Sequence, residues 1–108
     1  MRYDDVLVQP IHIDAHQHFS IYSRAEYDWI DDSMTALRRN FLPEDLQPEL
    51  ANNGFHGSFA VQARQTLEET RWLLDLADDS PAILGVVGWA DLRSPDIHCR
   101  VGVWRRFP

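Results

Sequence analysis

The chain has 108 residues, is 44% hydrophobic and 25% charged, and carries a formal net charge of -7. That suits one small soluble domain or a piece of a larger one, and the negative charge argues against a nucleic-acid partner. No apolar stretch approaches the roughly 18 residues that a membrane helix needs. The N-terminus "MRYDDVLVQP" lacks the basic-then-apolar pattern of a signal peptide, and the lone Cys99 excludes an intramolecular disulfide. The expectation is a cytoplasmic protein with neither membrane nor nucleic acid as partner.

In chain order, "IHIDA" at 11–15 is the first strand, because Ile11, Ile13 and Ala15 alternate with His12 and Asp14. A loop rich in aromatics and acids follows, then "MTALRRNF" as a short helix. "LPEDLQPELANNG" reads as a better helix. Pro43 suits its first position, Glu44 and Asp45 suit the positive end of its dipole, and Leu46 and Leu50 share a face. Asn53-Gly54 stops it, while Pro48 either starts the true helix or kinks it.

"GSFAVQA" at 57–63 is a second strand. "TLEETRWLLDLADDSP" is the clearest helix. Thr66 and Glu69 have capping-box spacing, and Leu73, Leu76 and Ala77 lie on one face with Trp72 beside them as core. "AILGVVGWA" at 82–90 is almost wholly apolar, as in a strand buried on both faces of a parallel sheet. "SPDI" at 94–97 opens another helix. Strands alternating with helices predict parallel βαβ units.

The chemistry gathers at the strand ends. His16 and His18 in "IDAHQHF" stand two apart, so in extended chain they point the same way. They sit at the C-terminal end of the first strand, where sites form in parallel α/β folds. Two imidazoles there suit a divalent metal, with Zn–N bonds of about 2.0–2.1 Å. On spacing alone, His-x-His also occurs by chance. Gln62 and Arg64 alternate onto one face at the end of the second strand, and Trp89 and Asp91 do so after the third. These are either substrate-binding groups or surface polar residues. Trp29, with Tyr27, either stacks on a sugar face or packs its loop. Asp14 is read as out of phase with the histidines and structural, orienting a neighbour through a hydrogen bond. Arg38 and Arg39 read as a solvated face.

Taken together, "IDAHQHF", "YDWI", "LRRNFLPEDLQPEL", "GSFAVQAR", "ETRWLLDLA" and "GVVGWADLRSP" resemble the N-terminal part of the amidohydrolase superfamily. The branch is the family-2 amidohydrolases, which include L-fuconolactonase-like sugar lactonases. The resemblance covers about residues 11–96. It implies an α/β fold: the N-terminal three β/α units of a (β/α)8 TIM-barrel-like amidohydrolase fold, incomplete in this chain. It implies a hydrolase in which water attacks a lactone or other cyclic ester or amide carbonyl, with a small lactone or sugar-derived molecule as substrate. His16 and His18 take the role of metal ligands, zinc being the metal expected. The family's general-base aspartate follows its eighth strand, so no catalytic base is expected here, and the chain is expected to be inactive by itself. Some lactonases of the superfamily keep these histidines and use no metal. A non-catalytic α/β binding module is the remaining alternative.

A full barrel takes roughly 250 residues, and three strands leave an unpaired edge. His56 precedes the second strand, at the end opposite the site, and His98 lies in the tail. Residues 97–108, "IHCRVGVWRRFP", break with what precedes them. They hold three arginines and no acid, where residues 1–96 are strongly acidic. The helix announced by "RSPD" runs into unrelated composition. The expectation is a segment at 1–96 belonging to the barrel and an atypical tail at 97–108, frameshifted or truncated; the other reading of the tail is an ordinary basic strand.

Overall fold

A computed structural model describes residues 10–97; the expected tail, apart from Ile97, lies outside the described residues. The elements are β1 (Ile13–Gln17), a 3-10 helix (Asp32–Leu37), α1 (Pro43–Asn52), β2 (Gly57–Val61), α2 (Leu67–Asp79) and β3 (Ile83–Val87). The strands form one parallel sheet in the order β1-β2-β3. The alternation read from the sequence is therefore present as two complete βα units and a third strand.

Helix α1 begins at Pro43, and the Asp45 carboxylate reaches back to accept the Leu42 N–H at 3.0 Å. Pro48 neither starts nor ends it. Proline lacks the N–H that would reach the Glu44 carbonyl, and both residues lie on the exposed side of the helix, where solvent access limits the cost of that lost bond. The helix closes in a Schellman motif. Phe55 N–H donates to the Leu50 carbonyl at 2.9 Å, Gly54 N–H donates to the Ala51 carbonyl at 3.3 Å, and Gly54 takes a φ of +74°.

Helix α2 covers one face of the sheet. Its Leu73 is fully buried with Phe19, Ala60 and Ile83, and Leu46, Trp72, Leu76, Ala77 and Val86 pack around them. Its cap is half of the expected box. The Thr66 hydroxyl accepts the Glu69 N–H at 3.1 Å, but the Glu69 carboxylate turns elsewhere.

Three expectations need correction. The first strand runs 13–17 rather than 11–15, because backbone pairing with β2 starts at Ile13 opposite Gly57 and carries on through polar residues that hydropathy left out. The third strand is not covered on both faces. Leu84 is 48% and Val87 51% exposed, since α2 lies on one side only and no described element covers the other. The segment 20–41 leaves the sheet and returns to it. Ser20 and Phe41 exchange two backbone hydrogen bonds of 2.9 Å, closing the excursion at its base. Arg38, expected on a solvated face, is instead half-buried inside this loop. Its guanidinium pairs with Asp32 at 2.8 Å and donates to the Ile30 carbonyl at 3.2 Å. Arg39 does stay exposed, over the Phe41 ring and paired with Asp45.

Candidate functional site

The direction of the histidines depends on an irregularity in β1. Asp14 pairs with Ser58 and Gln17 pairs with Ala60, so three residues of β1 advance against two of β2. In a regular strand Asp14 would share a face with His16. The bulge puts Asp14 and Gln17 on the same face instead, and the Gln17 amide donates to the Asp14 carboxylate there. Asp14 is thus out of phase with the histidines, as expected, but through the bulge and not through simple alternation. Its carboxylate also accepts the His16 N–H at 3.2 Å, holding the bulge in shape.

With Gln17 and the buried Phe19 turned to the helix side, His16 and His18 project from the open side. Their Nε2 atoms stand 3.1 Å apart, with ring planes at 76°. The His18 Nδ1 is 2.9 Å from the Val61 carbonyl. A carbonyl only accepts, so Nδ1 donates to it, and Nε2 is the ring nitrogen that faces His16. This is the usual support of a metal-binding imidazole. Two nitrogens 3.1 Å apart can both reach one ion over bonds of about 2.0–2.1 Å. The donor pair fits a divalent metal as part of a site: among the described residues, no group of three or more His, Cys, Asp or Glu could hold an ion. His56 sits at the far end of the sheet, where its Nδ1 accepts the His12 N–H.

His18 opens onto a cleft of about 500 Å³ whose walls include Tyr22, Tyr27, Trp29, Phe41 and Gln62. The loop 20–41 supplies most of this wall. The Tyr22 and Tyr27 rings stack at 6.4 Å, and Trp29 is 61% exposed at the rim. Burial, reinforced by the Glu69 carboxylate nearby, raises the Tyr27 hydroxyl above the ordinary tyrosine range.

Four of the expected site residues thus come together: His16, His18, Gln62 and Trp29. Arg64 does not join Gln62 on one face. β2 ends at Val61, and the chain bends before Arg64, so strand alternation no longer applies. Arg64 pairs with Glu26 at 2.6 Å and lines a separate, smaller hollow with Trp72 and Glu69. Trp89 is also absent from the cleft walls. Its backbone N–H and C=O are both held, at 2.9 Å each, by the Thr70 hydroxyl of α2. Asp91 lies in a turn, where its carboxylate accepts the Arg93 N–H. Sequence reasoning overlooked Tyr22, Ile30, Leu37 and Phe41. Their signal was the aromatic density of the loop after the first strand; what it lacked was the bridge that folds the loop over the sheet.

Comparison with known proteins bears on the fold and the family. No family model matches the chain. An L-fucono-1,5-lactonase of Burkholderia multivorans is 46% identical over 95 residues, which are 88% of this chain and 32% of that protein. An L-fucono-1,5-lactonase of Burkholderia ambifaria is 40% identical over 96 residues, 89% of this chain and 33% of its own length. A crystal structure of a Burkholderia multivorans amidohydrolase with bound zinc superposes with a TM-score of 0.86 at 45% identity, covering 91% of this chain and 34% of that one. The chain therefore spans about a third of the length of the relatives it matches. Parallel α/β topology, strand-end histidines and these likenesses mark the N-terminal part of the amidohydrolase family. The chain belongs to that family as a match to its N-terminal part, and within the family it is similar to L-fucono-1,5-lactonases. Among the described residues no helix is long and apolar enough to cross a membrane.

Proposed function

We propose that this chain carries the first-strand part of a metal-assisted hydrolase site that opens a sugar lactone, in a (β/α)8 barrel of which it supplies the first three β/α units. The observation that carries the reading is the His16–His18 pair, with Nε2 atoms 3.1 Å apart and His18 oriented by the Val61 carbonyl. The zinc in the related amidohydrolase structure supports a divalent metal at these two residues. Bound there, the metal would polarise the lactone carbonyl and make hydroxide available near neutral pH.

The remaining work falls to the chain's own groups. Gln62 can donate its amide N–H to a substrate oxygen beside His18, and the rings of Tyr22, Tyr27 and Trp29 offer apolar faces that suit the C–H side of a sugar. The same walls keep water from the reacting carbonyl on this side. Arg64 serves the substrate only if it leaves Glu26, and Trp89 stays a candidate substrate contact at the end of β3. The general base is the aspartate that the family resemblance places after an eighth strand. The lone cysteine and acidic character favour the cytoplasm. The compositional break after Asp96 is read as a change of reading frame; sequencing across codon 97 should show the amidohydrolase frame resuming, and a single uninterrupted frame would refute it.

The test is replacement of His16 and His18 by alanine in the full-length polypeptide, followed by metal analysis and lactone hydrolysis. The expected result is loss of bound zinc and a fall in turnover of about a thousandfold, as for several kcal/mol of lost transition-state stabilisation. Retention of both metal and turnover refutes the ligand assignment. Turnover that needs the histidines in a preparation without metal would favour direct polarisation of the substrate by the imidazoles.

A further inference from the structure

Glu69 is the buried carboxylate that the proposed chemistry leaves without a role. It stands at the third position of α2, 5% exposed, where a capping box would send its carboxylate back to the Thr66 N–H. Instead, Glu69 Oε1 accepts the N–H groups of Ala63 at 3.0 Å and Arg64 at 2.9 Å. These are the peptides just after β2, beyond the last backbone bond to β3, in which Gln62 N–H donates to the Val87 carbonyl at 2.8 Å. The peptide unit joining Val61 and Gln62 is thus tied to β3 by its N–H and to His18 by its C=O, and Glu69 holds the chain immediately after it. A carboxylate accepting two backbone N–H groups makes charge-assisted bonds, roughly twice as strong as neutral ones.

We propose that Glu69 is a positioning residue for the histidine pair: by anchoring Ala63 and Arg64 it holds the Val61 carbonyl in place, and that carbonyl keeps His18 protonated on Nδ1 with its Nε2 turned to His16. The adjacent Thr70 does a parallel task for β3 through Trp89 and makes no bond to the β2 end, so it serves as an internal control.

The proposal rests on the reading of His16 and His18 as ligands only for its metal readout; the tautomer readout stands without it. Nitrogen-15 spectra of the histidines in the full-length polypeptide are expected to show His18 as a single Nδ1–H tautomer. In Glu69→Ala that signal should move toward a mixture of tautomers, and zinc affinity, measured by competition with a chromophoric chelator against a His16→Ala/His18→Ala baseline, should fall about 10- to 100-fold. Glu69→Gln, which keeps an acceptor oxygen, should recover most of both, and Thr70→Val should leave His18 unchanged. If Glu69→Ala does not fold, Glu69→Asp, one methylene short of the loop, carries the same two readouts. A folded Glu69 variant with wild-type His18 signals and zinc affinity overturns the proposal. Zinc binding that is indifferent to the His16→Ala/His18→Ala change would instead sink the metal reading and leave the tautomer readout to decide on Glu69.

Discussion

The contact between Gly88 and Thr70 allows a sharp test of how α2 holds the end of β3. Gly54 is the only glycine with positive φ among the described residues, so alanine at 88 meets no backbone objection. Its objection is steric. A Cβ on Gly88 would lie 2.5 Å from Thr70 Cγ2 and 2.9 Å from Thr70 Oγ1. Relieving that overlap by shifting side chains or backbone costs about 1–3 kcal/mol. The shift also threatens the two Thr70–Trp89 hydrogen bonds, each contributing about 1 kcal/mol. Gly88→Ala should therefore destabilise by about 2–4 kcal/mol. Thr70→Ser keeps the hydroxyl, removes the methyl at 2.5 Å, and should cost only about 1 kcal/mol. The double variant should be more stable than the sum of the singles by about 1–2 kcal/mol, beyond the roughly 0.5 kcal/mol within which independent sites add. Urea unfolding followed by tryptophan fluorescence measures all four corners of the cycle. Additivity within that margin would refute the idea that the glycine is required by the threonine.

Three further outcomes follow from the same structure. Gly54→Ala puts a Cβ at φ +74° with no neighbour within 4 Å, so the cost is conformational alone, about 1–2 kcal/mol by urea unfolding; an unchanged midpoint would contradict the Schellman assignment. Tyr27 has a hydroxyl raised above its ordinary value near 10 by burial first and by Glu69 next. Its contribution to stability is therefore complete below pH 10 and is lost as pH climbs from there through the folded-state value. The wild type should lose more stability over that interval than Tyr27→Phe, and identical alkaline profiles would dismiss the coupling. Trp29→Ala, at the exposed rim of the cleft, should raise KM for a sugar lactone several-fold, by roughly 1 kcal/mol of lost aromatic contact, with kcat little changed; a fall in kcat alone would place Trp29 nearer the reacting atoms.

Much of this molecule is legible from local signals. Pro43, the acidic first turn and Asn53-Gly54 announce α1, and the period of Leu73, Leu76 and Ala77 announces the buried face of α2, because caps and amphipathic spacing act within a few residues. The two histidines are legible for the same reason: spacing, strand and family likeness all occur within one short segment. What the chain alone left open is long-range. Alternation would align Asp14 with His16; pairing against β2 inserts the bulge that separates them. Capping-box spacing directs Glu69 to Thr66; the tertiary fold offers it the two N–H groups at the end of β2 instead. Strand periodicity groups Gln62 with Arg64; the bend after Val61 sends Arg64 to Glu26 and leaves Gln62 beside His18. Residue type and spacing by themselves determined that two imidazoles end the first strand of an α/β protein. The tertiary structure decided which way they face, which tautomer His18 adopts and which side chains meet it in the cleft, because the first two depend on β2, more than forty residues away along the chain, and the third on the bridge between Ser20 and Phe41.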